Sequence, residues 1–463
     1  MLTRFVPPFA MLLLLSACGG SGGGAASSTP IATPAMPSWQ APVDLVSFGY
    51  DQGALLAGDG KGGVIAAWVH TGVDGGGTPY WELMAVRLGP DGVWEAPKSL
   101  EVNTGTRGMQ APVAALDDQG KGYLAWFSAI PRSTTTALRT VPVDLKASSP
   151  FGTRTAAQAL DLRGLADLHL AVGSDGSALA AWFYLRTNEF VTDYPTIQSS
   201  RLGPGAAWSP PVHHWLNPYS HQGLNGLRGD SRGAYFLGFA TGDDSWSENQ
   251  VADFPVGQET SSFVAGWMPV SQVALPANHQ AAWALDGQGR ADVWMVYPLA
   301  TVGNPELQAW PRTRSGAGTW TVGDKVALPL PTRSLTAFRE PSGAGWLAGL
   351  GSQGLWVAPL SGMTPGAPIT LLPATTQTEN MIGTRDAAGH PALLWIQRGT
   401  GGIYEGIGFS RWDGSAWTTP GILPGTVGKA IQRLFAVAGP AGLAAGWVEV
   451  GDRTLLLRTA LWK

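Results

Sequence analysis

The chain has 463 residues, with 29 Lys and Arg against 33 Asp and Glu and a formal net charge of −4. That balance argues against a polyanion-binding surface, so no nucleic-acid partner is expected. Charged residues are 13% of the chain, about half the share of an average soluble domain. Hydrophobic residues are 44%, and there are 63 Gly, 35 Pro and 21 Trp. Ample apolar mass, many turn formers and many large aromatics are the profile of an all-β protein with a real core.

Residues 1–17 read as an export signal: Arg4 supplies the positive start, residues 9–15 the short apolar run, and Ser16 and Ala17 the small residues before cleavage. The run is shorter than the roughly 20 residues that span a bilayer. Cys18 is the single cysteine, so no disulfide can form within a monomer. The stretch Leu15-Ser16-Ala17-Cys18 resembles a bacterial lipobox. The resemblance implies lipidation of Cys18, and Gly19 after it implies the outer membrane of a Gram-negative cell. Several acyl chains on one residue would anchor the protein stably, where a single chain would not. Residues 18–37, rich in Gly, Ser, Ala, Thr and Pro, read as a tether, and residues 38–463 as one domain.

A repeated phrase organises that domain. A short apolar strand, an Asp/Gly turn and a small-residue strand end together on a large apolar anchor. The anchors are Trp68, Trp126, Trp182, Phe239, Trp294, Leu350, Trp395 and Trp447, at intervals of 45 to 58 residues. Asp59, Asp118, Asp175, Asp230, Asp286 and Asp386 mark the turns, with Asp accepting backbone N–H bonds and Gly taking positive φ. A third strand follows, then a fourth carrying Trp and often Pro, as at Trp94, Trp208, Trp320 and Trp417, more weakly at Trp267. The second and sixth repeats carry degenerate fourth strands near residues 153–160 and 366–372. Four-stranded antiparallel units in a radial array predict an eight-bladed β-propeller, or a seven-bladed one if the short step before Trp395 merges two units.

The last repeat lacks a fourth strand, and residues 39–45 (WQAPVDL) match WEAPKSL, 94–100, almost position for position. Residues 38–46 are therefore expected to complete the final blade and close the ring. Closure removes two sheet edges that would otherwise invite pairing with other chains. The anchors are expected between blades, with Ala66-Ala67, Ala180-Ala181 and Ala444-Ala445 letting neighbouring sheets approach.

The loops joining second to third strands, and those joining blades, fall on one face of such a ring, and here they are the long ones. They carry the candidate ligand-binding residues Tyr80, Trp81, Tyr194, His213, His214, Trp215, Tyr219, His221 and Trp246. Glu189, Asp193, Asp243, Asp244 and Glu248 make the same face acidic. The Gly-rich turns lack the Lys-Ser/Thr of a phosphate loop, no Gly-Xaa-Ser-Xaa-Gly elbow occurs, and the turn acids are too sparse for calcium. No catalytic residue, metal or cofactor is expected.

The Trp turns resemble the Asp-box turns of sialidase-type propellers and the blade turns of fucose-binding propeller lectins, although the full Ser-Xaa-Asp-Xaa-Gly-Xaa-Xaa-Trp pattern is incomplete in nearly every copy. Anchor, size and blade count also resemble the lipoprotein propeller of the outer-membrane β-barrel assembly machinery, without its Thr-Gly before the tryptophan strand. The resulting expectation is a lipid-anchored, monomeric recognition protein of the cell envelope that binds a protein or glycan. The alternatives are a carbohydrate-active propeller hydrolase or lyase, and an assembly-complex subunit.

Overall fold

Alternating small and branched apolar residues, cut every few positions by Gly, Asp or Pro, leave short strands as the economical local structure, and strands are what form. The computed structural model describes residues 38–48, 53–104, 108–129, 135–161, 165–186, 194–203, 207–214, 221–229, 235–242, 247–254, 262–264, 281–285, 291–299, 306–315, 320–324, 326–340, 343–399, 402–451 and 454–463. Cys18, the tether, Trp267, and turn residues Asp230 and Asp286 lie outside them. The described residues hold 33 β-strands and no α-helix. They form eight antiparallel sheets, seven of four strands and one of five. Blade one, for instance, runs Ala54–Gly58, Val64–Val73, Pro79–Leu88 and Lys98–Thr104 from the axis outward.

Innermost strands stand side by side around the ring. Ala54–Gly58 lies against Val113–Leu116 of blade two on one side and Ile431–Gly439 of blade eight on the other, so first and last blades meet and the sheets make a closed β-propeller. The closing strand is Val43–Phe48, paired with Leu455–Trp462, two residues beyond the expected end at 46. Ahead of it, Ser38 donates to Lys463 O at 2.8 Å and Gln40 to Leu461 O at 2.8 Å. Trp39 sits edge-on to Phe409 of blade seven at 5.4 Å and to Trp462 at 5.6 Å.

The anchors fill the gaps between blades as expected. Trp68, Trp126, Trp182, Trp294, Trp395 and Trp447 are fully buried, and so are the Ala pairs beside Trp68, Trp182 and Trp447. The side chain of Phe239 lies outside the described residues. Blade six departs from expectation. Its fully buried anchor is Trp356 on the third strand, not Leu350 on the second. In blade seven Trp395 pairs across the ladder with Gly408, and in blade six Gly349 pairs with Trp356. The Trp–Gly couple is the same, with the two partners exchanged between strands. The fourth position of blade six is also divided, Thr364–Pro365 and Ile369–Leu372 both pairing with Gly354–Ser361.

Fourth-strand tryptophans reach back to the preceding blade. Trp94 Nε1 donates to Thr459 Oγ1 of blade eight at 2.8 Å, and Trp208 Nε1 to Thr140 Oγ1 of blade two at 3.0 Å. Trp417 meets Trp346 of blade six at 5.7 Å. Trp39 does the same toward blade seven, which is why its sequence matches that of Trp94. Beneath Trp417, the Asp413 carboxylate accepts from the amides of Ala416 and Ser415, both at 2.8 Å, and these bonds pull its pKa down to about 2.

The Asp/Gly turns form as read, with one correction. Asp59 Oδ1 accepts from Lys61 and Gly63 amides, and Asp386 Oδ1 from those of Ala388 and His390. In blade two the turn residue is Asp117, which accepts from Gln119 and Lys121 at 2.8 Å. Asp118 instead faces solvent and pairs with Lys61 of blade one at 2.9 Å. Gly120, at φ 78°, follows Asp117 at the same spacing that Gly389 follows Asp386, so the glycine register selects the earlier aspartate.

Candidate functional sites: the rim and the bore

On the long-loop face, blade one carries the described part of the expected site. Its residues 70–82 are less a loop than a ladder: Val69 to Val73 pair with Leu83 to Pro79, and a short turn on Asp74 joins them. The innermost strand stops opposite Trp68, so this hairpin stands above the bore as a projecting ridge. Alternation along the strand parts Tyr80 from Trp81. Trp81 faces blade two, half-buried on the core there and lying over Gly108, where an added Cβ would fall 2.6 Å from the indole. Tyr80 lies over Gly72, with the His70 ring 6.0 Å away, both half-buried on the side toward blade eight. The two neighbours in sequence therefore serve two different inter-blade clefts.

Blade three presents Tyr194 as the first residue of Tyr194–Leu202, and His213 and His214 on Val212–His214. His214 is buried, its Nε2 2.6 Å from Ser199 Oγ and its ring edge-on to Phe254 of blade four at 5.3 Å. It is wedged between blades. His221 opens the innermost strand of blade four, His221–Gly229. Trp215, Tyr219 and Trp246, with Glu189, Asp193, Asp243 and Asp244, lie outside the described residues.

A second concentration of polar groups occurs where sequence reading did not look. A cavity of about 350 Å³ is lined by Arg228, Trp283, Thr336, Thr384 and Arg385, among others. These come from the innermost strands of blades four, five, six and seven, so the cavity lies in the bore of the ring. Arg228 and Arg385 sit at the ends of their strands nearest the tight Asp/Gly turns, which places the cavity toward the face opposite the long loops. Arg228 is exposed to solvent, yet desolvation by the surrounding protein pulls its pKa below the usual arginine value. Desolvation likewise lowers the Arg385 pKa, while the charge of Glu340 works the other way. The sequence trace of this cluster is one Arg near the end of each of two inner strands, HQGLNGLRG and QTENMIGTR.

His169, on the innermost strand of blade three, belongs to the same neighbourhood. Burial, and then the charge of Arg228, lower its pKa from 6.5 to about 4. The unfolded chain therefore takes up the proton first. The stability this neutral imidazole confers is whole above pH 6.5 and erodes as pH falls toward 4. Asp167, whose pKa burial raises, tilts the balance in the opposite sense. Between pH 7 and pH 4 the wild type is expected to lose about 3 kcal/mol more than His169→Gln. Parallel urea midpoints for the two proteins across that range check this: equal losses would mean that the histidine is protonated in the fold.

No protein-family model and no curated protein matches the chain. Among solved structures, a protein of unknown function from Dyadobacter fermentans is similar at 14% identity and TM-score 0.41, over 65% of this chain and 95% of that one. The Trypanosoma rangeli sialidase in complex with the inhibitor DANA is similar at 9% identity and TM-score 0.42, over 78% of this chain and 56% of the sialidase. The β-propeller domain of the Trilobed protease from Pyrococcus furiosus is similar at 9% identity and TM-score 0.40, over 81% and 96%. The β-propeller itself is shown by the chain's own eight sheets and their ring of inner strands.

Proposed function

We propose that the protein is a recognition scaffold of the cell envelope, held to the outer membrane by lipid on Cys18 and binding a glycan or protein through the long-loop face. The observation that carries this reading is the blade-one ridge. Five ladder pairs, Val69↔Leu83 to Val73↔Pro79, extend past the innermost strand and hold half-buried His70 and Tyr80 at the mouth of the ring. The ridge stands past the innermost strand but is backed on its outer side by Lys98–Thr104, with Tyr80 opposite Thr104, and an aromatic body with a polar tip on such an extension suits recognition at a wet surface. The lipobox resemblance and the 18–37 tether support presentation at a membrane surface.

A glycan array and an envelope pull-down with the purified chain test this reading. Binding is expected to fall about tenfold or more in His70→Ala/Tyr80→Ala, the loss of two contacts of roughly 1 kcal/mol each. Asp91→Ala, on the opposite face, should bind as wild type. Capture of one stable protein partner with no glycan signal would favour the assembly-subunit alternative, and equal binding by both variants would remove the ridge from the site. Loss of membrane association in Cys18→Ser, read by fractionation, tests the anchor.

A further inference from the structure

We propose that the bore cavity is a binding site for a small carboxylate- or phosphate-bearing anion, with Arg228 as its principal contact. Three observations converge on it. The cavity, at about 350 Å³, lies within the range that holds small organic ligands. Its wall carries two guanidinium groups from opposite arcs of the ring, Arg228 of blade four and Arg385 of blade seven, with Thr336 and Thr384 hydroxyls beside them. The two cations also differ in how they are matched. Arg385 has Glu340 in its field. Among the described residues, Arg228 donates to the neighbouring Leu227 carbonyl, at 2.9 Å, and no carboxylate pairs with it.

Other described arginines are matched by acids. Arg411 pairs with buried Asp386 at 2.9 Å, Arg154 with buried Glu101 at 2.9 Å, Arg458 with Glu449 at 3.0 Å, and Arg339 with fully buried Asp292. These four arginines are thus matched by acids of the fold, two of them within a blade and two across blades. Arg228 lines the cavity with no such acid among the described residues against it, and a bound oxyanion would supply the opposite charge and accept its planar pair of N–H bonds. His169 does not compete for the anion, because it is neutral down to about pH 4. Among the described residues the cavity is lined by two arginines and no carboxylate, with Glu340 in the field of Arg385, a balance that suits a single small anion. The cavity opens toward the tight-turn side, so this site is separate from the ridge and does not depend on it.

The experiment is titration calorimetry on the full chain in mild detergent, at pH 7 and fixed ionic strength, with inorganic phosphate, citrate and glucuronate as probes. Saturable binding of at least one is expected, and Arg228→Gln should weaken it about tenfold or more. Arg228→Lys should fall between, because it keeps the charge and loses the fork. His70→Ala/Tyr80→Ala should leave this binding unchanged, which separates the site from the ridge. Melting without ligand reports whether Arg228→Gln folds; if it does not, Thr336→Val on the same wall takes its place, with a several-fold loss expected. No saturable heat with any probe up to about 10 mM, a limit set by the weakest affinities worth calling specific, would overturn the proposal. So would a folded Arg228→Gln that binds as wild type.

Discussion

A chain lacking residues 38–48 is expected to lose its cooperative melting transition and to aggregate. The segment contributes the outer strand of blade eight, Val43–Phe48, and buries Trp39 and Phe48 against blades seven and one. Each such side chain contributes about 1.5–3 kcal/mol on burial. A larger effect comes from what the deletion uncovers. Leu455–Trp462 would become an open edge with the apolar sequence LLLRTALW, and its unpaired N–H and C=O groups would offer a template for another chain. With no disulfide available, nothing covalent would hold first and last blades together. Trp39→Ala alone, which keeps the strand and removes the wedge against Phe409, is expected to cost about 3–5 kcal/mol. Size-exclusion and thermal melting of the two variants decide the matter: a monomeric, cooperatively melting deletion would mean that the ring does not depend on its latch.

The second large effect concerns the Trp–Gly couples. Trp395 is fully buried between blades six and seven, and Trp395→Ala should cost about 3–5 kcal/mol through lost burial and the cavity left behind. Gly408 faces the same indole across the ladder, and a Cβ added there would fall 2.1 Å from Nε1. Gly408→Ala should therefore destabilise by overpacking, about 1–3 kcal/mol or somewhat more, since backbone must shift. The couple makes a sharper claim than either member. In Gly408→Ala/Trp395→Leu the smaller side chain frees the space the new methyl needs, so the double variant should be more stable than the sum of its singles. Strict additivity in chemical denaturation would show that glycine is not there to seat the tryptophan. Blade six offers the mirror test with Gly349→Ala, whose Cβ would fall 2.3 Å from the Trp356 ring.

These couples also show how far local reading carries. An anchor on the second strand was legible in blades one, two, three, five, seven and eight, because a tryptophan after small residues repeats in the same phrase. Blade six has the same interior with tryptophan and glycine exchanged across the ladder, and a linear pattern does not record which strand of a pair holds the large partner. Blade two shows the same limit on a smaller scale: two adjacent aspartates were available, and the glycine register of the folded hairpin chose Asp117. Tyr80 and Trp81 look like one aromatic platform in sequence, yet strand alternation sends them to opposite clefts. His214, chosen as a surface ligand, belongs to the packing between blades three and four.

Strand order, radial repetition and closure by the amino-terminal segment of the domain followed from the sequence itself. The reason is physical: strand period, turn chemistry and anchor spacing are short-range properties, and a repeat states them again in each unit. The ridge was foreshadowed by a long connection, but its height above the bore came only from the register that ends the inner strand at Ala54. The bore cavity was decided by tertiary structure alone. Arg228 and Arg385 lie on two inner strands far apart in the chain, and only the curvature that closes the sheets into a ring brings them to one cavity.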